Sequence, residues 1–81
     1  MQEQSKIENP TFGQKAVGIN FNPSLDSSVD KVKIHYANII DGLNELRNST
    51  TSNEVKRLCS VAITEAQGSQ MWAVKAITWK D

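Results

Sequence analysis

The stretch Met71-Trp72-Ala73-Val74-Lys75-Ala76-Ile77-Thr78-Trp79-Lys80-Asp81 most limits what this chain can become. It holds both tryptophans, and eight of the nine positions from Met71 to Trp79 are uncharged. So apolar a segment must be covered, and an 81-residue chain offers little to cover it with. Small chains are ordinarily stabilised by a covalent or metal staple or by association. Composition excludes the staple: Cys59 has no internal disulfide partner, and His35 is the single histidine, so no Cys/His cluster exists for a structural metal. Self-association is the remaining route, and Lys75, a cation in the middle of the contact, asks for an anion.

Lys plus Arg and Asp plus Glu stand at nine each. That balance argues against a chain that grips long nucleic acid through a basic surface, while leaving room for a small anion. An N-terminal apolar run of the signal-peptide kind is missing, as is any stretch of about 20 apolar residues that could span a bilayer. The expectation is a cytoplasmic, reduced location without membrane contact, which suits a lone thiol.

Residues 1–18 are polar, carry Pro10, Gly13 and Gly18, and follow neither a helical nor a strand period. They read as a flexible or loosely docked arm, and residues 19–81 as the folded domain. At Ile19-Asn20-Phe21-Asn22-Pro23-Ser24 the composition changes, and Pro23 pushes Asn22 to an extended conformation, so this piece leads into a helix. The first long helix starts at Ser24, or one turn later at Ser27 or Ser28, with Ser24 as a cap and Asp26 in the first turn against the helix dipole. Val29, Val32, Tyr36, Ile39, Leu43 and Leu46 then form one apolar stripe, widened by Ile40. Asp30, Lys31, Asn38, Asp41 and Glu45 occupy the wet side. Gly42 weakens the pattern locally.

Asn48-Ser49-Thr50-Thr51 interrupts the periodicity, and Thr51 with Glu54 reads as a capping box opening a second helix. So short a link sets two helices antiparallel. The second stripe runs through Val55, Leu58, Cys59, Ala62, Ala66, Ser69, Ala73 and Ala76, with Met71, Trp72, Val74, Ile77 and Trp79 around the rest of the circumference. With about 22 and 27 residues the helices span roughly 33 and 40 Å. By that arithmetic the first helix ends before the Trp-rich end of the second, leaving an association surface. The fold class is all-α: an antiparallel helical hairpin of two long helices, with room for a short N-terminal one, assembling into a symmetric homo-oligomer.

Catalysis finds little support. Cys59 lies in the apolar stripe as a buried thiol, His35 sits off the stripe toward solvent, and Asp26 with Asp30 makes a solvated face. Gly13 and Gly18 do not form a phosphate loop, and no cofactor or metal is implied. Binding features fare better. Phe21 before a helix N-terminus, with Asn22 and Ser24 beside it, offers a ring for stacking together with donors for a phosphate. Lys33 can snorkel across an apolar seam toward an anion. A hydrophobic staple for Phe21 and ordinary surface positions for Lys33 and Lys75 stay open as alternatives.

Three pieces together, Phe21-Asn22-Pro23-Ser24, then Val32-Lys33, then Gln70-Met71-Trp72-Ala73-Val74-Lys75-Ala76-Ile77-Thr78-Trp79, resemble the small phage anti-CBASS proteins of the second type. The chain is similar in particular to the versions carried by large T-even-like phages, and the resemblance covers roughly residues 17–79. It implies a non-enzymatic sponge working in the host bacterial cytoplasm. Helical hairpins of that family assemble into a homohexamer and sequester cyclic oligonucleotide messengers such as 3′,3′-cyclic GMP–AMP. By position, Phe21 would stack on a base of a cyclic dinucleotide and Lys33 would meet its phosphate, while Lys75 and Thr78 would line a separate threefold site for cyclic trinucleotides. Gly68-Ser69 departs from the helix-favouring residues expected before the Gln-Met-Trp motif. The reading of another class is a helical protein–protein adaptor or inhibitor whose Trp-rich end docks on a host protein.

Overall fold

A computed structural model of the protein describes residues 6–81. It contains α1 (Phe12–Ala16), α2 (Ser27–Ser49) and α3 (Asn53–Thr78), and no strand among the described residues. The two long helices, of 23 and 26 residues, form the expected antiparallel hairpin. Tyr36 and Ser69 share a hydrogen bond across it, and Arg47 Nη1 donates to Ser60 Oγ at 3.0 Å.

Local chemistry explains where the helices begin. Asp26 caps α2, its carboxylate accepting from the Ser28 amide at 2.8 Å, so the start is the Ser27 alternative and Asp26 lies just outside the first turn. Ser52 caps α3 by accepting from the Val55 amide at 3.2 Å, which corrects the expected Thr51–Glu54 box. With Ser52 at the cap, the third helical position is the apolar Val55, which cannot reach back. The Ser52 amide is taken by Thr50 Oγ1, and Glu54 pairs instead with Arg57 at 2.6 Å.

The stretch expected as an arm carries α1, which has a capping box of its own. Thr11 Oγ1 accepts from the Gln14 amide, and the Gln14 side chain accepts from the Thr11 amide. Asp41 of α2 holds this helix by its start, accepting from Thr11 Oγ1 and from the Gly13 amide, both at 2.6 Å. That contact needs close approach: a Cβ on Gly13 would lie 2.2 Å from the Ala37 carbonyl oxygen. Asp41, expected on the wet side, is thus the anchor of the N-terminal segment. Arg47 reaches all three helices, bonding Asn44 and Ser60 and lying 5.4 Å from the centre of the Phe12 ring.

The core is Val17, Ile19, Ala37, Ile40 and Ile63, with Ala16, Tyr36, Leu43 and Ala66 packed against it. The buried line of α2 therefore runs through Val29, Lys33, Ala37 and Ile40, rotated from the apolar stripe, and Ile39 and Leu46 face outward. On α3 the buried residues are Cys59, Ile63 and Gln70, whereas Leu58, Ser69 and Ala76 are exposed. Periodicity marks the most apolar side of an isolated helix, but α2 is contacted on one flank by α1 and on the other by α3. Where α1 approaches, a small residue suits the contact better than a large one.

The molecule measures 48 × 31 × 12 Å, and its third dimension is about the diameter of one helix. Its Cα radius of gyration is 14.2 Å, against about 12 Å for a compact domain of this length. The helices lie in a single layer, so both broad faces are open. Hence Met71, Trp72 and Trp79 stay exposed. The reason differs from the expected one. Tyr36 stands nine residues after Ser27, and nine residues after Ser69 is Thr78, so the start of α2 lies level with the end of α3. The aromatic side chains are bare because they face out of the layer, not because α2 runs out.

Two matched pairs of substitutions test this packing. Gly13→Ala destabilises by about 1–3 kcal/mol through overpacking, whereas Gly42→Ala, with nothing within 4 Å of its added methyl, stabilises by about 1 kcal/mol. Ser52→Ala lowers stability by about 1 kcal/mol while Thr51→Ala leaves it nearly unchanged. Urea denaturation midpoints at fixed protein concentration measure all four.

Candidate functional site

The turn between α1 and α2 is built around two backbone conformations with positive φ. Gly18 takes φ 64°, where the lack of a Cβ makes it easy. Leu25 takes φ 58°, a region that costs a side-chain-bearing residue roughly 1–2 kcal/mol. A local knot holds it. Asn22 Nδ2 donates to the Asp26 carbonyl at 2.9 Å, Ser24 Oγ donates to Asn22 Oδ1 at 2.6 Å, and the Leu25 amide reaches the Asn22 carbonyl. Asn22 is buried and Ser24 is committed to it, so both act first as architects of the entry to α2.

Lys33 projects from α2 into this turn. Its Nζ donates to the Gly18 carbonyl at 2.9 Å and to the Phe21 carbonyl, and it lies 5.6 Å from the centre of the Phe21 ring. The lysine is only 5 % exposed, and burial pushes its pKa below the usual lysine value, partly offset by the nearby Asp30 carboxylate. An ammonium has three donors, so one N–H remains after the two carbonyls. Phe21 itself is 71 % exposed, so the hydrophobic-staple alternative does not describe it. A bare aromatic ring over a fixed cation is suited to stack on a planar base.

Phe21, Asn22, Ser24 and Lys33 thus fall in one cluster. Lys75 and Thr78 form another, in the last turn of α3. Lys75 is exposed with its ammonium 5.2 Å from the centre of the Trp72 ring, and Thr78 Oγ1 donates to the Val74 carbonyl at 2.8 Å. Elsewhere Cys59 is a buried free thiol and His35 is exposed, as their sequence positions suggest. Among the described residues no group of His, Cys, Asp and Glu could hold a metal ion, and no helix is long and apolar enough to cross a membrane.

Several residues that shape the site were not legible as such. Gly18 supplies both a left-handed turn and an acceptor for Lys33. Asn20 forms two hydrogen bonds with the backbone of Ile7, its Oδ1 accepting at 2.9 Å and its Nδ2 donating at 3.0 Å. The Thr11–Gln14 box is a readable signal that would have located α1. Asp41 offers none, since its partners lie 28 and 30 residues away.

Comparison with known proteins matches the chain to a family. The model of the family described as "Acb2/Tad1, hairpin domain" covers residues 14–78, which include both clusters. No curated protein and no solved structure matches the chain. A match over most of the sequence, on a chain that folds as a helical hairpin, places the protein: it belongs to the Acb2/Tad1 hairpin-domain family.

Proposed function

We propose that this protein is a phage counter-defence sponge that binds cyclic oligonucleotide second messengers and withholds them from host effectors, without converting them. Membership of the Acb2/Tad1 hairpin family over residues 14–78 carries this reading. The exposed Phe21 ring beside the Lys33 ammonium agrees with it. In this reading a base of a cyclic dinucleotide such as 3′,3′-cyclic GMP–AMP stacks on Phe21. Lys33 fixes the turn that presents the ring and turns its remaining N–H toward a phosphate, with Asn22 and Ser24 holding the neighbouring backbone. Lys75 and Thr78 serve a second, threefold site for cyclic trinucleotides.

Symmetry makes this workable in a chain of zero net charge. One exposed lysine per protomer becomes several per site when copies meet, and each charge-assisted contact to phosphate is about twice as strong as a neutral one. The uncovered aromatic end of α3 suits a homo-oligomer, and the reading takes this to be a hexamer acting in the host bacterial cytoplasm.

Isothermal titration with 3′,3′-cyclic GMP–AMP tests the reading, and a flat titration would sink it in favour of a protein-docking role. Intact nucleotide recovered after denaturing the complex is the expected result, and linear products would make the protein an enzyme. Lys33→Ala should weaken cyclic dinucleotides at least about tenfold, the equivalent of one charge-assisted hydrogen bond, while sparing trinucleotides. Lys75→Ala should do the reverse. Equal effects of both changes on both ligands would refute the two-site arrangement.

A further inference from the structure

Beside Phe21 lies an open groove of about 330 Å³, bounded by Pro10, Gln14, Lys15, Asn20 and Phe21. One wall comes from the segment before α1. That wall is held at two points: Asn20 clamps the Ile7 backbone with two hydrogen bonds, and Asp41 grips Thr11 and Gly13. Pro10, the lining residue from that segment, precedes residue 14, where the family match begins, so this edge of the groove lies outside the matched hairpin.

The charge at this groove comes from Lys15. It is exposed, stands in the last turn of α1, and makes no ion pair among the described residues. Lys33 is its opposite: buried, with two of its three N–H donors on the Gly18 and Phe21 carbonyls beneath the ring. Lys15 is therefore a second cation beside the exposed Phe21 ring, and the one whose side chain stands open to solvent. The groove is at the small end of the roughly 300–1,000 Å³ of ligand pockets, enough for part of a cyclic dinucleotide rather than the whole.

We propose that this groove receives one base-and-phosphate unit of the cyclic dinucleotide, with the base on Phe21 and against Pro10, and the phosphate on Lys15. The N-terminal segment is then a working wall of the site, positioned by Asn20, and Lys15 is its specific anion contact. This assignment rests on the sponge reading and adds a residue to it.

The test is titration of the full chain with 3′,3′-cyclic GMP–AMP at two salt concentrations, comparing wild type with Lys15→Gln, Lys15→Glu and Asn20→Ala. Lys15 is exposed, so its variants keep the wild-type melting temperature. Loss of one charge-assisted contact weakens binding by about tenfold in Lys15→Gln and more in Lys15→Glu, and makes affinity less sensitive to salt, while cyclic trinucleotide binding stays unchanged. Asn20→Ala weakens the dinucleotide with the salt dependence retained, because it loosens the wall and leaves the charge. Wild-type affinity and salt dependence in Lys15→Glu overturn the proposal and leave the sponge reading standing. A wild-type chain that does not bind overturns both.

Discussion

A single layer of helices cannot bury both of its broad faces, and most of this structure follows from that constraint. The layer is 12 Å thick, so the core is a thin line between α2 and its two neighbours. Residues such as Ile34, Ile39, Trp72 and Trp79 face outward although they are apolar. Domains normally close a core between two packed layers. Here the described residues form one layer only, and the apolar side chains on its two broad faces stay open.

Within the layer, polar contacts do much of the joining. Asp41 holds α1 by two donors, Arg47 touches all three helices, and Lys33 ties the turn to α2. Such contacts are directional, so they fix where the N-terminal segment sits more sharply than the few apolar side chains could. The consequence for function is that the Phe21 ring is presented by a braced turn rather than by a free loop. Leu25 in the left-handed region shows the local cost of that bracing.

The division of labour between two lysines follows from their depth. Lys33 is desolvated, with its charge answered by backbone carbonyls, whereas Lys15 is exposed to water. A buried cation that is already solvated by carbonyls fixes geometry well and competes less for a new anion. An exposed one does the converse.

The hairpin was legible in the sequence because it depends on signals close together along the chain. Helical periodicity from Val29 and Val55 onward, a three-residue link and nearby capping groups suffice to set two antiparallel helices of the right lengths. The buried Cys59 follows from its place in the spacing in the same way, whereas the aromatic end is exposed for a reason that helix lengths did not give. What only the tertiary structure decided is which side of α2 is buried, that Asp41 is an anchor rather than a solvated charge, and that Lys33 is buried against carbonyls of the turn while Lys15 is exposed. Each depends on a partner distant along the chain: Gly13 meets Asp41 across 28 positions and Gly18 meets Lys33 across 15. Periodicity reports how one helix divides its own surface, and it carries no information about which neighbour will arrive or on which flank.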